Sequence, residues 1–500
     1  MIFGRLNPNH LKHVLPSFSQ IVVVTILISP NCAMTTAILS LQDCIDIAEK
    51  QNLGHLVNIR DVESSREQLR QARSEFALNI DASLDVPTYT ESRRLHDNVA
   101  LLQRVHEENV NMEYQGETTI SQRFAHFGMF SVTASGIRND FSSNRRQDRK
   151  EFVGDLRVDY THDLITKPTT EIQLERAQLA LSIGQSNLLR QKFQLEEQVT
   201  NTFFDLVQAI RELQIQQQRL AQSTAALDLS LRKFEVGLIP EVEPLRLKVE
   251  KLRAKAGLND AQTQIDRRRD QLREMLGMNM DYPVDVPTNV DHKVISVDES
   301  RAVKIGLQRR TDLKEAKWSK RSSELHLQDV EQQLGPTAQL TSSFTLLGRG
   351  PKMGDVSSTF GRSFVTAGIR MELPLLDGGD RRGRGRQAEI DLEKSVLSEE
   401  VINRQVILEI REAVRNVNKA EIQIVLGREE LEVAQRTYQV ESSRFELGLT
   451  DSQALLEAQT TFTEASLNSL ENSISYQRAL TNLRVATMAK LSELSNTPND

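Results

Sequence analysis

The 500-residue chain has few of the residues that build disulfide frameworks, metal centres or catalytic sites. Its two cysteines, Cys32 and Cys44, exclude a disulfide framework and a thiolate metal site. None of its nine histidines forms a pair at the spacing that metal ligands need within a helix. No Ser/His/Asp or Cys/His set stands near a recognisable nucleophile turn. We therefore predict that the protein is not an enzyme and has no catalytic residue, cofactor or metal.

Strong charge of one sign and long apolar runs are also absent. The net charge of −7 is modest and argues against nucleic acid as a partner. The apolar run over residues 21–28 is far shorter than the ~20 residues that a spanning helix needs. It follows Arg5 and Lys12 and precedes small residues, which is typical of a cleaved secretory signal. We predict a signal peptide over residues 1–37, with a lipid anchor at Cys32 and an incidental apolar tail as the alternatives.

The chain does have an internal repeat. Phe234-Glu235-Val236-Gly237-Leu238 returns as Phe445-Glu446-Leu447-Gly448-Leu449, at an offset of 211 positions. Apolar residues at every seventh position precede both copies and match at the same offset. They are Val199, Leu206, Leu213, Leu220 and Leu227, and then Ile410, Val417, Ile424, Leu431 and Tyr438. A sustained heptad repeat predicts coiled-coil packing. The two Phe-Glu-x-Gly-Leu runs are therefore predicted to be the tips of two helical hairpins in a tandem duplication.

Helical patterns fill most of each repeat. Two long helices are predicted over 169–235 and 380–447, each about 100 Å long at 1.5 Å per residue. The predicted returning helices cover 240–276 and 451–491, and shorter helical stretches cover 40–52, 55–76 and 298–334. Ser40 to Asp43 and Ser296 to Glu299 each resemble a capping box at the start of a repeat.

Alternating apolar and polar residues predict strands between the short and the long helices. Four strands are predicted, over 130–137, 152–161, 338–346 and 364–373, with polar loops over 139–150 and 348–363. Two further alternating stretches, 78–89 and 116–124, have no second-half counterpart and predict an extra hairpin whose position the sequence does not fix.

The charged residues on one face of these strands have two interpretations. The first is a soluble sandwich strand with its outer face in water, and the second is a membrane barrel with a water-filled lumen. Four strands cannot close a barrel alone, because lipid leaves exposed strand edges unsatisfied. A barrel would therefore need several chains.

The order of elements, the turn Leu373-Pro374-Leu375-Leu376-Asp377-Gly378-Gly379 and the two tips together resemble the TolC family of outer-membrane efflux channels. The resemblance covers residues 39–491. It implies a mainly α fold with a membrane β-barrel portion, built from a duplicated helix–strand–strand–helix–helix unit. It further implies a homotrimer in the outer-membrane lipid. Each chain would give four strands to a 12-stranded β-barrel above a long periplasmic helical tube.

The same resemblance implies a function and partners. The protein would be the exit duct of a tripartite efflux pump or of a type I secretion system. A periplasmic adaptor protein would join it to an inner-membrane pump or ABC transporter, which supplies the energy. The alternative is an exported coiled-coil scaffold or adhesin with a small soluble β domain.

The predicted domains follow the repeat. They are the signal peptide 1–37, the first repeat 38–280, a linker 281–295, the second repeat 296–492 and a frayed tail 493–500.

Two sets of functional residues are predicted at the tips. The adaptor-docking residues are Phe234, Glu235, Gly237 and Leu238, with Phe445, Glu446, Gly448 and Leu449. The family also places acidic constriction rings nine and twelve residues after the tip aromatic, where this chain has Glu243 and Glu457 but also Ala454 and Arg246. Asp451 is a third candidate. Acidic residues also favour ordinary helix N-termini, so a solvated helix start is the competing explanation.

A glycine- and arginine-rich run from Asp377 to Arg386 could suggest a phosphate loop or an RNA-binding segment. It lacks the lysine spacing of a phosphate loop and has no interleaved aromatic residues. We interpret it as the turn between a strand and a helix.

Overall fold

The computed structural model describes residues 37–98, 103–125, 127–144, 147–165, 169–288, 295–373 and 375–494. The predicted signal peptide, apart from Ala37, lies outside these ranges, as do Pro374 and residues 495–500 of the predicted tail. The described helices are α1 (Leu41–Gln51), α2 (Leu53–Ser74), α3 (Thr169–Glu235), α4 (Val242–Leu276), α5 (Glu299–Arg309), α6 (Thr311–Leu334), α7 (Met353–Ser358), α8 (Asp380–Glu446), α9 (Ser452–Thr487) and α10 (Leu491–Leu494). The described strands are β1 (Ala37–Ile38), β2 (Asn79–Asn98), β3 (Gln103–Phe124), β4 (Gly128–Ser143), β5 (Arg149–Asp163), β6 (Val284–Asp285), β7 (Thr337–Gly350) and β8 (Arg362–Glu372).

The long helices confirm the predicted duplication. α3 and α8 each contain 67 residues, and each is followed by a returning helix. α9 is shorter than predicted because Met488 adopts a left-handed backbone conformation with φ 49°, which ends the helix after Thr487. The predicted helix over 298–334 is two helices, because Arg310 has extended backbone geometry with ψ 123°.

One of the two predicted capping boxes is present. Ser40 Oγ accepts from the Asp43 N–H, and the Ser40 N–H donates to the Asp43 carboxylate at 3.0 Å. The second prediction is wrong. Asp298 is the N-cap of α5, with its carboxylate accepting from the Ser300 N–H at 3.0 Å, so the helix begins two residues later than Ser296 would allow.

The helices lie side by side in a fixed order. Toward the hairpin tips the order is α4, α3, α9, α8, and toward the sheet it is α2, α3, α6, α8. The heptad residues Val199, Leu206, Ile410 and Val417 are fully buried in this layer, as coiled-coil packing requires. The predicted interpretation of the seven-residue repeat is therefore confirmed.

The linker predicted over 281–295 is partly built into the fold. β6 pairs in parallel with β1, and the Leu39 N–H donates to the Asp285 carbonyl at 2.9 Å. Val284 and Val286 are buried against α1 and α4. This described part is therefore a packed connection, because its alternating apolar residues find a partner strand at the start of the chain.

The sheet has six antiparallel strands in the order β2-β3-β4-β5-β7-β8, where the resemblance implied four per chain. The predicted extra hairpin joins the sheet directly, since β3 pairs with β4 over Asn109–Phe124. The loop predicted over 139–150 is also too long. β4 continues to Ser143 and β5 begins at Arg149, because ion pairs Arg138–Asp140 and Arg149–Glu151 let polar residues remain in the ladder.

The strand register gives the sheet two different faces. The first, the apolar face, carries Ile80, Ala82 and Leu84 of β2, Ile120 of β3, Phe130, Val132 and Ala134 of β4, Leu156, Val158 and Tyr160 of β5, Phe344 and Leu346 of β7, and Val365, Ala367, Ile369 and Met371 of β8. The second, the polar face, carries Asp81 and Asp85 of β2, Glu113 and Glu117 of β3, Ser131, Thr133 and Ser135 of β4, Asp155, Arg157 and Asp159 of β5, Thr341, Ser343 and Thr345 of β7, and Thr366 of β8.

A row of glycines crosses the apolar face. Gly116, Gly136, Gly154 and Gly348 pair in succession across β3, β4, β5 and β7. The short helix α7 packs on the β5 and β7 end of this row, where a Cβ on Gly348 would come within 2.3 Å of the Val356 carbonyl oxygen. Glycine is needed here because the helix backbone approaches the sheet closely.

Candidate functional site at the hairpin tips

The two hairpin tips have the same backbone geometry. In the first, the Leu238 N–H donates to the Lys233 carbonyl at 2.9 Å and the Gly237 N–H to the Phe234 carbonyl at 2.8 Å. The second tip repeats both bonds one offset later, at 2.9 Å and 3.1 Å. This pair of bonds is the Schellman motif, which satisfies the last carbonyls of a helix.

The glycine of each tip is required by its backbone conformation. Gly237 has φ 74° and Gly448 has φ 75°, a left-handed geometry that costs other residues about 1–2 kcal/mol. Apart from the glycine and its two chain neighbours, no described atom lies within 4 Å of a Cβ built on either glycine, so backbone conformation rather than crowding selects the residue. The repeated Gly-Leu pair therefore sets where both long helices end.

Each tip presents apolar side chains to solvent. Val236, Leu238, Leu447 and Leu449 are each at least 66% exposed. Exposed apolar residues clustered at a turn favour contact with another macromolecule.

The two tip aromatics have different surroundings. Phe445 is buried in a cluster with Leu227, Leu247 and Leu455, whereas Phe234 is 40% exposed. Lys233 of the first tip lies over the Phe445 ring, with Nζ 4.6 Å from the centroid, and Nζ also donates to the Phe445 carbonyl. Phe445 therefore joins the two hairpins, while Phe234 remains available on the surface.

The predicted constriction residue Glu243 connects the two hairpins. Its side chain is almost fully buried, and its carboxylate accepts from the Ser452 N–H at 2.9 Å. Arg246 lies 3.5 Å from the same carboxylate. Ser452 is the first residue of α9, so a carboxylate from the first repeat satisfies an N–H group that the helix leaves unpaired.

Of the other two predicted acids, only Asp451 stands at the same helix start. Asp451 is the N-cap of α9 and accepts from the Ala454 N–H at 3.0 Å, and it remains exposed. Glu457 is exposed six residues further along. The structure thus brings Glu243 and Asp451 to one helix N-terminus, where negative charge is favourable. Glu457 stands apart from them on the open surface.

Buried polar contacts continue the connection between the hairpins. Gln459 Nε2 on α9 donates to Ser223 Oγ on α3 at 3.0 Å, and both residues are buried. Further along α3, the Asp205 carboxylate accepts from Arg268 of α4 at 2.9 Å and also from Arg478 of α9. The second repeat is therefore fixed to the first by hydrogen bonds as well as by apolar packing.

Burial perturbs two carboxyl groups of α3 in the same helical layer. Burial raises the pKa of Glu196 above its ordinary value, against the opposing effect of the Arg484 guanidinium beside it. Burial also raises the pKa of Glu197.

Several contact residues at the tips were not predicted from the sequence. Lys233, Ser452 and Gln459 contact the other hairpin, yet they stand in no motif. Lys233 and Ser452 directly adjoin the predicted tip residues, which is the one signal that could have found them.

No helix in the described ranges contains a segment long and apolar enough to cross a membrane. Within those ranges no group of three or more His, Cys, Asp or Glu side chains could hold a metal ion.

Residues 303–487, within the second repeat, match the profile of the family described as outer membrane efflux protein. The predicted resemblance to the TolC-like outer-membrane efflux family is confirmed. The match supports an outer-membrane location with the helical part in the periplasm. Its members are channels rather than enzymes. No curated protein matches the chain in sequence.

The TolC-like fold extends over both repeats. The chain is similar to the Campylobacter jejuni CmeC outer membrane channel at 14% identity and a TM-score of 0.69, covering 92% of this chain and 87% of that one. It is similar to a membrane protein from Pseudomonas aeruginosa at 17% identity and a TM-score of 0.68, covering 89% and 90%. It is also similar to the outer membrane protein VceC of Vibrio cholerae at 14% identity and a TM-score of 0.67, covering 89% and 95%.

Proposed function

We propose that the protein is the trimeric outer-membrane exit duct of an efflux or secretion machine. In this role, an inner-membrane transporter supplies the energy and a periplasmic adaptor docks on the hairpin tips. The observation that carries the proposal is the pairing of two features within one chain. A sheet with one apolar and one polar face stands at one end of the long helices, and two matching apolar tips stand at the other.

The helix order supports a closed tube made from several copies. Toward the tips α4 and α8 are the outermost helices of the layer, and both carry exposed apolar side chains. On α4 these include Val242, Leu245, Val249 and Leu252, and on α8 they include Val401, Leu408, Ile422, Val425, Leu426 and Val433. Large exposed apolar faces indicate protein interfaces. In the proposed homotrimer, α8 of one copy packs against α4 of the next in the half of the tube near the tips.

The tips support adaptor docking. Leu238 and Leu449 lie at equivalent positions of the two repeats and point their exposed side chains away from the hairpins' own packing. In a trimer the two tips would give six similar Gly-Leu sites around the end of the tube. An adaptor with a repeated apolar surface fits such an arrangement.

The acidic residues support a cation-favouring tube end. Asp451 and Glu457 are exposed at the start of α9, and threefold repetition would triple their charge in a narrow aqueous neck. We propose Asp451 and Glu457 as the pore-facing acids. We propose that Glu243, the third constriction candidate, acts by holding the hairpins together at the neck.

Cell fractionation tests the membrane assignment. The mature protein should pellet with the outer membrane and resist carbonate extraction, because a lipid-embedded barrel is not released by high pH. Release into the soluble periplasmic fraction would contradict the channel and favour the exported coiled-coil scaffold or adhesin.

Site-specific photo-crosslinking tests the adaptor assignment. A photoreactive residue at Leu238 or Leu449 should form an adduct with a periplasmic adaptor subunit, identified by mass spectrometry. The matched control is Leu189, which is also exposed on α3 but lies far from the tip. Equal adducts from all three positions would contradict docking at the tips.

Deleting the gene would distinguish an efflux pump from a type I secretion system. Loss of a pump removes resistance to small toxic compounds, whereas loss of a type I system removes a secreted polypeptide.

A further inference from the structure

We propose that the strands beyond the expected four belong to the wall of the membrane barrel, so that three copies close an 18-stranded barrel. In this barrel, β2 of each copy pairs antiparallel with β8 of the next copy. The inference rests on the proposed trimeric channel and adds the size and closure of its membrane part.

Helix connectivity identifies where strands have been added. α6 leads into β7, and β8 leads into α8, so the second repeat has one hairpin between its helices. In the first repeat α2 leads into β2 and β5 leads into α3, with β3 and β4 between them. The first repeat therefore has two strands more than the second, and the added hairpin, β2 and β3, pairs with β4 at one end of the same sheet.

The apolar face continues across the added strands without interruption. Ile80 of β2 pairs with Ile120 of β3, Ile120 with Val132, and the same row reaches Val158 and Phe344. If the hairpin lay outside the barrel, nothing would require its apolar side chains to continue the apolar rows of β4, β5 and β7. Lipid contact explains the alternation.

Aromatic residues mark two levels on β3 itself. Phe124 contacts Phe130, with ring centroids 6.2 Å apart, and Phe130 contacts Tyr160 at 4.5 Å. At the other level, Arg138 lies over the Tyr114 ring at 5.2 Å. Phe124 and Tyr114 share the apolar face, and ten residues of strand tilted by ~40° rise about 26 Å, which matches the ~25 Å apolar band between aromatic girdles.

The polar face of the added hairpin needs water. Asp81, Asp85, Glu113 and Glu117 lie on this face, opposite the apolar band. Ionised carboxylates are costly to remove from water, so this face lines an aqueous lumen.

Beyond the band the hairpin leaves the barrel. The ladder between β2 and β3 is interrupted between Asp85 and Thr88, where Pro87 costs no ladder hydrogen bond. Past this bulge the apolar alternation is replaced by charges, with Arg93 paired to both Glu91 and Glu108. The added hairpin therefore crosses the membrane below the bulge and projects into water above it.

The free edges of the sheet identify the partner as a second copy. β2 and β8 are the edge strands, and every residue of β8 is exposed. Because the sheet has an even number of antiparallel strands, β2 and β8 run in opposite directions and can pair antiparallel around a ring. In lipid both edges must be paired, since no water can satisfy their N–H and C=O groups.

The added strands widen the lumen. With strands about 4.8 Å apart and tilted by ~40°, 18 strands give a barrel about 36 Å across between backbones, whereas 12 strands give about 24 Å. The wider circumference, about 113 Å, is close to that of a tube of 12 helices packed about 8–10 Å apart. The wider barrel therefore fits the proposed helical tube.

Cysteine labelling of reconstituted trimers tests the inference. Thr118 and Thr119 of β3 stand in the same rows of the sheet as Leu346 and Thr345 of β7. A membrane-impermeant maleimide should label Thr119→Cys and Thr345→Cys from the lumen and leave Thr118→Cys and Leu346→Cys unlabelled in lipid. The mature parent chain is the blank, because Cys32 belongs to the predicted signal peptide and Cys44 is fully buried.

The two strands separate the possible failures. Equal labelling at both β3 positions, with alternation retained on β7, would overturn the 18-stranded barrel and leave the channel intact. Equal labelling at both β7 positions would overturn the membrane barrel itself. A photoreactive residue at Ser83 of β2 adds a second readout, which does not depend on lipid. Its adduct should lie within residues 362–372 of another copy, and an adduct confined to its own chain would contradict the β2–β8 closure.

Discussion

Replacing Glu243 by glutamine should loosen the contact between the two hairpin tips. The Glu243 carboxylate accepts from the Ser452 N–H at 2.9 Å at the start of α9, and the residue is 9% exposed. The glutamine keeps the shape and one acceptor oxygen but removes the charge. The change therefore isolates the charge-assisted part of this contact.

The magnitude follows from the two kinds of hydrogen bond. A bond to a charged group contributes about 1.5–3 kcal/mol and a neutral one about 0.5–1.5 kcal/mol, so the loss is about 1–1.5 kcal/mol per copy. If three tips separate together, the free energy that keeps the tube end closed falls by about 3–4.5 kcal/mol. The population of the open tube end should then rise by about 10²–10³-fold.

Single-channel recording in planar bilayers measures this population as the fraction of time that the channel conducts. The matched control is Glu241→Gln, which removes the same charge two residues earlier. Glu241 is exposed and its side chain makes no capping bond to α4. If Glu243→Gln and Glu241→Gln give the same open fraction in trimers of equal stability, the tip contact does not control opening and the reasoning is refuted.

Three further predictions concern stability and docking. Gly448→Ala should lower the free energy of unfolding by about 1–2 kcal/mol, because Gly448 has a positive φ. Gly383→Ala within α8 should instead raise the free energy of unfolding by about 0.5–1 kcal/mol. Denaturant titration of both variants checks these opposite signs. Phe445→Ala should cost about 3–5 kcal/mol of stability in the same assay, because the Phe445 ring is buried. Phe234→Ala should keep the fold and weaken adaptor binding in a pull-down. Equal losses of stability in the two variants would contradict the assigned roles. Burial raises the pKa of Glu197, so its contribution to stability is present below the unfolded pKa and is lost as the pH rises through the folded pKa. Glu197→Gln should therefore raise the Tm at pH 7 and leave it unchanged near pH 4. An equal gain in Tm at both pH values would contradict the burial effect.

Local patterns were sufficient to predict the helical part of the fold. The heptad residues and the Gly-Leu pairs depend on neighbours within the same helix or turn, so their spacing is visible in the sequence. The bounds of α3 agree with the prediction at both ends, and those of α8 within one residue. The helix ends at Met488 and Arg310 were missed because neither residue is one that usually breaks a helix.

The number of strands could not be predicted by comparing the two repeats. The additional hairpin has no counterpart in the second repeat, and its outer half carries charges such as Arg93 and Glu108 on the face that is apolar lower down. Alternation therefore covers only part of β2 and β3, and pairing partners were needed to join the two parts.

The contacts between the tips were also beyond sequence reasoning. Glu243 and Ser452 are separated by 209 positions, and Lys233 and Phe445 by 212. The repeat predicts two similar tips, yet it does not say which side chain of one reaches the other. The different burial of Phe234 and Phe445 has the same origin, because only one of the two rings lies between the hairpins.

If the protein is an outer-membrane conduit, purified mature trimers should conduct ions across a planar bilayer. Recording the parent chain beside Glu243→Gln allows for a closed tube end. We expect discrete, cation-favouring steps, more frequent in Glu243→Gln, with selectivity that falls when Glu457 is changed to glutamine. If neither the parent nor Glu243→Gln conducts, although incorporated trimers are verified in the bilayer, the conduit is contradicted.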